Sequence, residues 1–307
     1  MSITHQLFRR ENFSLWLLAA VVAISAAGFA AYYYYDRYVH PDVRVLDRQA
    51  KHLEEMVAKN PQNPDLRVSV ATYYLDNRMT DQAIQQGEEA LQINPKHQGA
   101  MMLLGKAYQQ KGKYDAAIAQ LTRVVELNRD NPLADMSKPL EEVYYLLGTL
   151  YKEKGQYPQA VEALKAAIAI DYTDADALTM LGSVYQKQND HANAIRAFQE
   201  ALRFDPSFID PYQGLATSYA ATGKTQEAAY ARAMITLWQG KYYDASKQLE
   251  AVLAQSPNLT QANYGLGLAY EKLGRREDAL AALNKFLQAY PNDVAAQQAF
   301  GRISKGN

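Results

Sequence analysis

The chain has 307 residues, with 32 basic and 33 acidic side chains and a formal net charge of -1. That balance gives no global field to draw nucleic acid or to coat an anionic surface. The lack of any cysteine excludes disulfides, thiolate metal sites and cysteine nucleophiles, and 23 tyrosines against 8 phenylalanines imply many half-buried rings with a wet hydroxyl edge.

Residues 1–12 form a short tail, and the stretch from Phe13 to Tyr35, FSLWLLAAVVAISAAGFAAYYYY, carries no charge. About 20 apolar residues cross a hydrocarbon core of roughly 30 Å as a helix, so 13–35 reads as a transmembrane helix. Trp16 at one end and Tyr32, Tyr33, Tyr34 and Tyr35 at the other suit the headgroup layer, while Arg9, Arg10 and Arg37 mark the flanks. A cleaved signal peptide, cut near Ala26 or Gly28, is the rival reading; the length of the run and its aromatic end stand against it. Ala19, Ala23, Ala27 and Ala31 make a small-residue stripe suited to self-association through this helix, or simply an alanine-rich span with no partner. Two arginines on a short leading tail favour a cytoplasmic N-terminus with the bulk of the chain outside. Arg37, Arg44, Arg48 and Lys51 after the span keep the opposite sidedness open.

After a linker and half-repeat capping helix at 36–63, outlined by Leu53, Met56 and Pro61, one phrase returns again and again. It reads LLGKAY ending at Tyr108, LLGTLY at Tyr151, MLGSVY at Tyr185, GLATSY at Tyr219 and GLGLAY at Tyr270. The offset is 34 from Gly148 to Gly182, from Gly182 to Ala216, from Ala245 to Ala279 and from Pro257 to Pro291. A first pair of helices is expected at 64–97, with Ala71, Tyr74, Ala83, Ala90 and Pro95, and a second at 98–129, with Met101, Leu104, Gly105, Tyr108, Ala117 and Leu121. Gly105 to Gly148 is 43, nine more than one period, and the polar stretch DNPLADMSK within an inserted loop at 130–140 supplies the excess. Pairs at 141–174 and 175–208 follow. Ala216 to Ala233 then advances only 17, half a period, so 209–259 reads as two overlapping repeats sharing the helix from Thr225 to Gln239. A last pair at 260–292 and a capping helix at 293–307, with Phe300 and Gly301, complete the array.

The phrase has a physical reason. On a helix, Leu147, Gly148 and Tyr151 share adjoining faces with Tyr144 one turn earlier, so that a bulky ring alternates with a gap that admits a neighbouring helix. Ala160, Leu164 and Ala167 give the complementary small-large-small surface. Gly155 sits where a turn needs positive φ, and Pro206, Pro257 and Pro291 stop the second helix of each pair.

Period and phrase together resemble the tetratricopeptide repeat (TPR) family. The resemblance implies an all-α fold: a right-handed α-solenoid of antiparallel helix pairs, here preceded by a single transmembrane helix. It further implies a concave groove lined by the first helices, at Val68, Thr72, Met102, Lys106, Tyr145, Thr149, Thr179, Ser183, Gln213, Thr217, Tyr264 and Leu268. That lining is mostly neutral, and it lacks the lysine, asparagine and arginine set with which some family members grip a chaperone's C-terminal carboxylate. The expected partner is therefore a protein or peptide of neutral, partly apolar character. Tyr145 and Tyr264 have a second reading, as fillers of gaps between repeats.

Catalytic and metal chemistry find no foothold. His5, His40, His52, His97 and His191 are scattered, and none stands at metal-ligand spacing from another ligand. Gly223, Lys224 and Thr225 resemble the end of a phosphate-binding loop, but Ser218 stands where its first glycine should be and no strand precedes it. Neither cofactor nor enzymatic activity is expected. The leading reading is a membrane-anchored scaffold or adaptor, serving envelope assembly, secretion or the maturation of a complex. A permanent structural subunit of a membrane complex is the alternative, and an enzyme with an unrecognised site a distant third.

Overall fold

The computed structural model describes residues 24–32, 34 and 43–306. Residues 24–32 and 34 are helical (α1) and exposed, with Ile24 at 72% and Phe29 at 71%. The rest of segment 13–35 lies outside the described residues, and so does most of the reading of it as a membrane span. Among the described residues no helix is long and apolar enough to cross a membrane. Every long element there is an α-helix, and no strand occurs.

The chain divides into two compact units, Met1–Leu103 and Leu104–Asn307. In the first, α2 (Val43–Lys59), α3 (Pro64–Asp76) and α4 (Thr80–Ile93) pack around Val70, Tyr74 and Ala83, with Ala50, Leu53 and Val57 of α2 laid against them. Asn63 starts α3 by accepting from the N–H groups of Asp65 and Leu66, two donors that the first turn would otherwise leave orphaned. The Tyr74 hydroxyl donates to Glu54, which fastens α2 to α3. α5 (Gln98–Gln110) runs across the division. At its start the Ala100 N–H donates to His97 Nδ1 at 3.1 Å while His97 Nε2 lies 2.9 Å from Asp65, so this histidine is a helix cap.

The second unit continues with α6 (Tyr114–Leu127), a single 3-10 turn at Ala134–Met136, α7 (Lys138–Glu153), α8 (Tyr157–Ile170), α9 (Ala175–Lys187) and α10 (His191–Phe204). There follow α11 (Ile209–Ala221), α12 (Thr225–Trp238), α13 (Tyr242–Gln255), α14 (Gln261–Lys272), α15 (Arg276–Ala289) and α16 (Val294–Lys305). α7 begins at Lys138, inside the stretch read as an inserted loop, because Ser137 caps it and Pro139 is at home in a first turn. α10, α13 and α15 each end two positions before Pro206, Pro257 and Pro291, whose rings cannot continue a helix.

In four of the pairs, α5–α6, α7–α8, α9–α10 and α14–α15, a glycine of the first helix lies under a large side chain of the second. A Cβ on Gly148 would stand 2.5 Å from Leu164 Cγ, one on Gly182 2.6 Å from Phe198 Cε1, and one on Gly267 2.6 Å from Leu283 Cγ. Leu164 and Leu283 are fully buried, and Phe198 is 1% exposed. Phe198 is also closed in by Gly214 of the next first helix, so one ring locks three helices together. The turns between first and second helices repeat as regularly. Positive φ falls at Gly112, Gly155, Gly223, Gly240 and Gly274, and at Arg78 and Asn189 in the two pairs that lack a glycine there.

One helix departs from the alternation. α12 packs against α11 as the second helix of a pair, and also against α13 and α14 as the first helix of the next. Its buried Ala228 and Ala231 are followed by buried Ala233, Met234 and Leu237, so it has core on two sides. All of these belong to one continuous cluster that reaches from Ala194 to Ile303.

Gly182→Ala is expected to destabilise the array by about 1–3 kcal/mol, because Phe198 has nowhere to move. Gly301→Ala is the control: a Cβ there would meet nothing within 4 Å, so the variant should gain about 0.5–1 kcal/mol from helix propensity alone. Urea unfolding of the two variants beside the parent checks the opposite signs.

Candidate functional site

The first helices α7, α9 and α11 lie side by side, and a cleft of about 370 Å³ opens across them. One repeat period carries Tyr145 onto Thr179 and then Gln213, and Ser183 onto Thr217, so equivalent positions on successive helices form two short rails. Phe198 forms part of the floor, held between Gly182 and Gly214, with Met180 and Phe208 beside it. Gln186 Nε2 donates to the Gly214 carbonyl at 2.8 Å and to Ser218 Oγ at 2.7 Å, tying α9 to α11 at one end. The Thr179 and Thr217 hydroxyls donate to the carbonyls of Ala175 and Gln213 on their own helices, at 2.6 and 3.0 Å.

The electrostatics are less neutral than the sequence led one to expect. Asp176 and Asp210, again one period apart, and Lys152 join the lining. Burial and the nearby charges of Asp174, Asp210 and Asp205 push the Asp176 carboxyl up. Burial raises Tyr145 too, with Asp176, Asp174 and Glu141 adding to it, so its hydroxyl keeps its proton. The Tyr145 ring also packs against the core formed by Ala160, Leu164 and Leu181, so its gap-filling role and its place in the cleft coexist.

One turn before Tyr145, Glu141 is 8% exposed and its carboxyl is hydrogen-bonded to that of Asp174. Asp174 is the cap of α9 and already accepts from the N–H groups of Asp176 and Ala177. Glu141 is the donor in that hydrogen bond. Burial first, then the Asp174 hydrogen bond and charge, push Glu141 up to about 7, against the opposing pull of Lys138. Lys138 is itself paired with Asp171, which that contact and Thr173 hold down at about 2.

A carboxyl that keeps its proton in the fold and loses it when unfolded stabilises the acid side. Folded Glu141 binds its proton up to about pH 7 and the unfolded chain releases it near 4.5. Stability from this group is thus present below that window and falls as pH rises through it. Glu141→Gln, a neutral stand-in that can still donate to Asp174, is expected to match the parent near pH 4.5 and to be the more stable of the two at pH 8. Urea midpoints at both values check this; an equal offset at both would rule out proton linkage at Glu141.

The cleft gathers five of the twelve groove positions read from the sequence: Tyr145, Thr179, Ser183, Gln213 and Thr217. Thr149 stands one turn along α7, its hydroxyl donating to the Tyr145 carbonyl at 3.1 Å. Lys106 is held by Glu142 at 2.6 Å, so its charge is already matched. In the first unit, Val68 and Met102 are half-buried and Thr72 is exposed, its hydroxyl donating to the Val68 carbonyl at 2.8 Å. Tyr264 lies elsewhere, with its ring 5.3 Å from that of Phe286, and Leu268 packs on the core. The lining residues outside that set were within reach of the same logic. Asp176 and Gln186 stand three before and seven after Thr179, on the same helical face but beyond the single turn that the groove positions span. Among the described residues no three metal-capable side chains come together.

Stacked helix pairs with a cleft across their first helices define a helical-repeat binding scaffold. Models of the tetratricopeptide repeat match residues 74–138, 175–208 and 230–294, and one described as TPR repeat matches 148–189. The chain belongs to the tetratricopeptide repeat family. No curated protein sequence matches it. Among solved structures, the crystal structure of MamA is 28% identical with a TM-score of 0.51, covering 57% of this chain and 96% of that one. The C-terminal part of a TPR repeat-containing protein from Cytophaga hutchinsonii is 19% identical with a TM-score of 0.53, covering 83% and 94%. BtubC from P. vanneervenii is 15% identical with a TM-score of 0.57, covering 66% and 92%. The last two are likenesses of fold alone.

Proposed function

We propose that the protein is a membrane-tethered scaffold that holds an extended, neutral and partly apolar segment of a partner protein in the cleft across α7, α9 and α11. The observation that carries this is the pair of rails, Tyr145–Thr179–Gln213 and Ser183–Thr217, set over the Phe198 floor at one helix-pair spacing. An extended segment laid across them meets the same kind of side chain at regular intervals. Asp176 and Asp210 along one edge add a preference for a basic residue at one end of that segment. A fixed curved surface does this work without chemistry. The uncharged run from Phe13 to Tyr35 supplies the tether, with the N-terminus on the cytoplasmic side and the array beyond the membrane.

A photo-cross-linking residue at Gln213 should capture the partner, and Thr179→Trp, which fills the cleft, should abolish capture without changing the thermal midpoint. The same cross-linker at Lys165, exposed on α8, should capture nothing. Capture from Lys165 equal to that from Gln213, or capture indifferent to Thr179→Trp, would place the partner on another face. For the tether, full-length protein should sediment with membranes and be released by detergent, while a chain starting at Val43 stays in the supernatant. A full-length product soluble without detergent sinks the tether and leaves the cleft standing.

A further inference from the structure

The double role of α12 opens a second cavity, separate from the cleft, of about 670 Å³. It lies between α10, α11 and α12 on one side and α14, the end of α15 and the start of α16 on the other. Because α14 stacks on α12 rather than following α11 at one full period, a gap is left against α10. This gap is walled by second helices as well as first ones, which sets it apart from a groove formed by first helices alone.

Its lining carries four tyrosines, Tyr212, Tyr219, Tyr230 and Tyr264. Two of the four hydroxyls are engaged. Tyr212 donates to the Pro206 carbonyl at 3.0 Å, and Tyr219 accepts from Gln199 Nε2 at 3.0 Å. The Tyr230 and Tyr264 hydroxyls have no hydrogen-bond partner among the described residues. Burial pushes Tyr264 up to about 12 and Tyr230 well above the ordinary range, so both stay protonated and remain donors. Leu202, Leu215, Leu259 and Phe286 add apolar wall, and Gln199, Gln261 and Asn292 add neutral polar wall. Charge is balanced: Arg203 and Lys224 face Glu227 and Asp293. Arg203 is further held by Glu200 at 2.6 Å, and Lys224 lies over the Tyr219 ring at 5.8 Å.

These walls ask for an occupant with no net charge, flat apolar surface and hydrogen-bond acceptors. A charged tail meets no complementary field, and a hydrocarbon leaves both free hydroxyls unpaired, at a cost. A proline-bearing extended segment meets every demand. Its rings offer apolar faces to tyrosine, its carbonyls accept, and it has fewer N–H groups to strip of water. We propose that this cavity binds a proline-bearing extended segment of a partner protein, with Tyr230 and Tyr264 donating to its carbonyls and the tyrosine faces stacked on its rings.

The test is calorimetric titration of the full chain in mild detergent with N-acetylated, C-amidated decaproline and with a glycine-serine decamer of the same length. Decaproline should bind and the glycine-serine peptide should not. Tyr230→Phe with Tyr264→Phe keeps both rings and removes only the donors, and should weaken decaproline about tenfold, the worth of two modest hydrogen bonds, with the thermal midpoint unchanged. Thr179→Trp in the α7–α9–α11 cleft should leave decaproline binding intact, so failure here and failure of the cleft are told apart. No binding of decaproline, equal binding of both peptides, no effect of the double Phe variant, or loss of binding on Thr179→Trp would each overturn the proposal.

Discussion

A missing methyl group governs this protein. Where Gly148, Gly182 and Gly267 stand on the first helix of a pair, a leucine or phenylalanine of the second helix occupies the space a side chain would have filled. Each buried side chain of that size contributes roughly 1.5–3 kcal/mol by leaving water. The stacking depends on the fit as much as on the area: ridge enters groove, the axes approach, and the next pair is placed by the last. Phe198 extends the principle from a pair to a triplet, since Gly182 and Gly214 approach its ring from two helices. The same ring is part of the cleft's floor, so the contact that builds the stack also shapes the surface that meets a partner.

The helix α12 shows what happens when the alternation is interrupted without being abandoned. Its buried residues face α11 on one side and α13 with α14 on the other, and the core passes through it unbroken. Nothing is lost in burial, since Ala233, Met234 and Leu237 are as well covered as the residues of any regular pair. What changes is which face looks outward, and a cavity appears where a regular array would have had contact.

Much of this was open to a reader of the residues. The glycine-bearing phrase and its 34-residue return are local facts, and the packing they dictate involves partners 16 residues apart, as with Gly148 and Leu164. The rails followed by carrying one position forward by one period. Three things escaped. Asp176 and Gln186 lay on the right face but one turn beyond the expected groove positions. Glu141, whose neighbour Glu142 makes the two look like a solvated pair, is buried because α9 brings its cap, Asp174, against it, which no spacing within α7 announces. Tyr264 was placed by analogy with Tyr145, yet the half-period step turns its helix toward α10, so equivalent letters came to line different sites. A period predicts neighbours only while its phase holds.

The inserted half-period also reverses a direction. Helices alternate in sense along the chain, so α7, α9 and α11 point one way while α12, α14 and α16 point the other. Each helix carries partial positive charge at its beginning. In the earlier stack those beginnings, marked by Asp174 on α9, line one rim, and in the later stack, marked by Asp293 on α16, they line the opposite rim. A ligand strand with its own polarity, travelling over both, would therefore encounter two surfaces of opposite electrical sense, and a single binding mode could not be continued from one to the other.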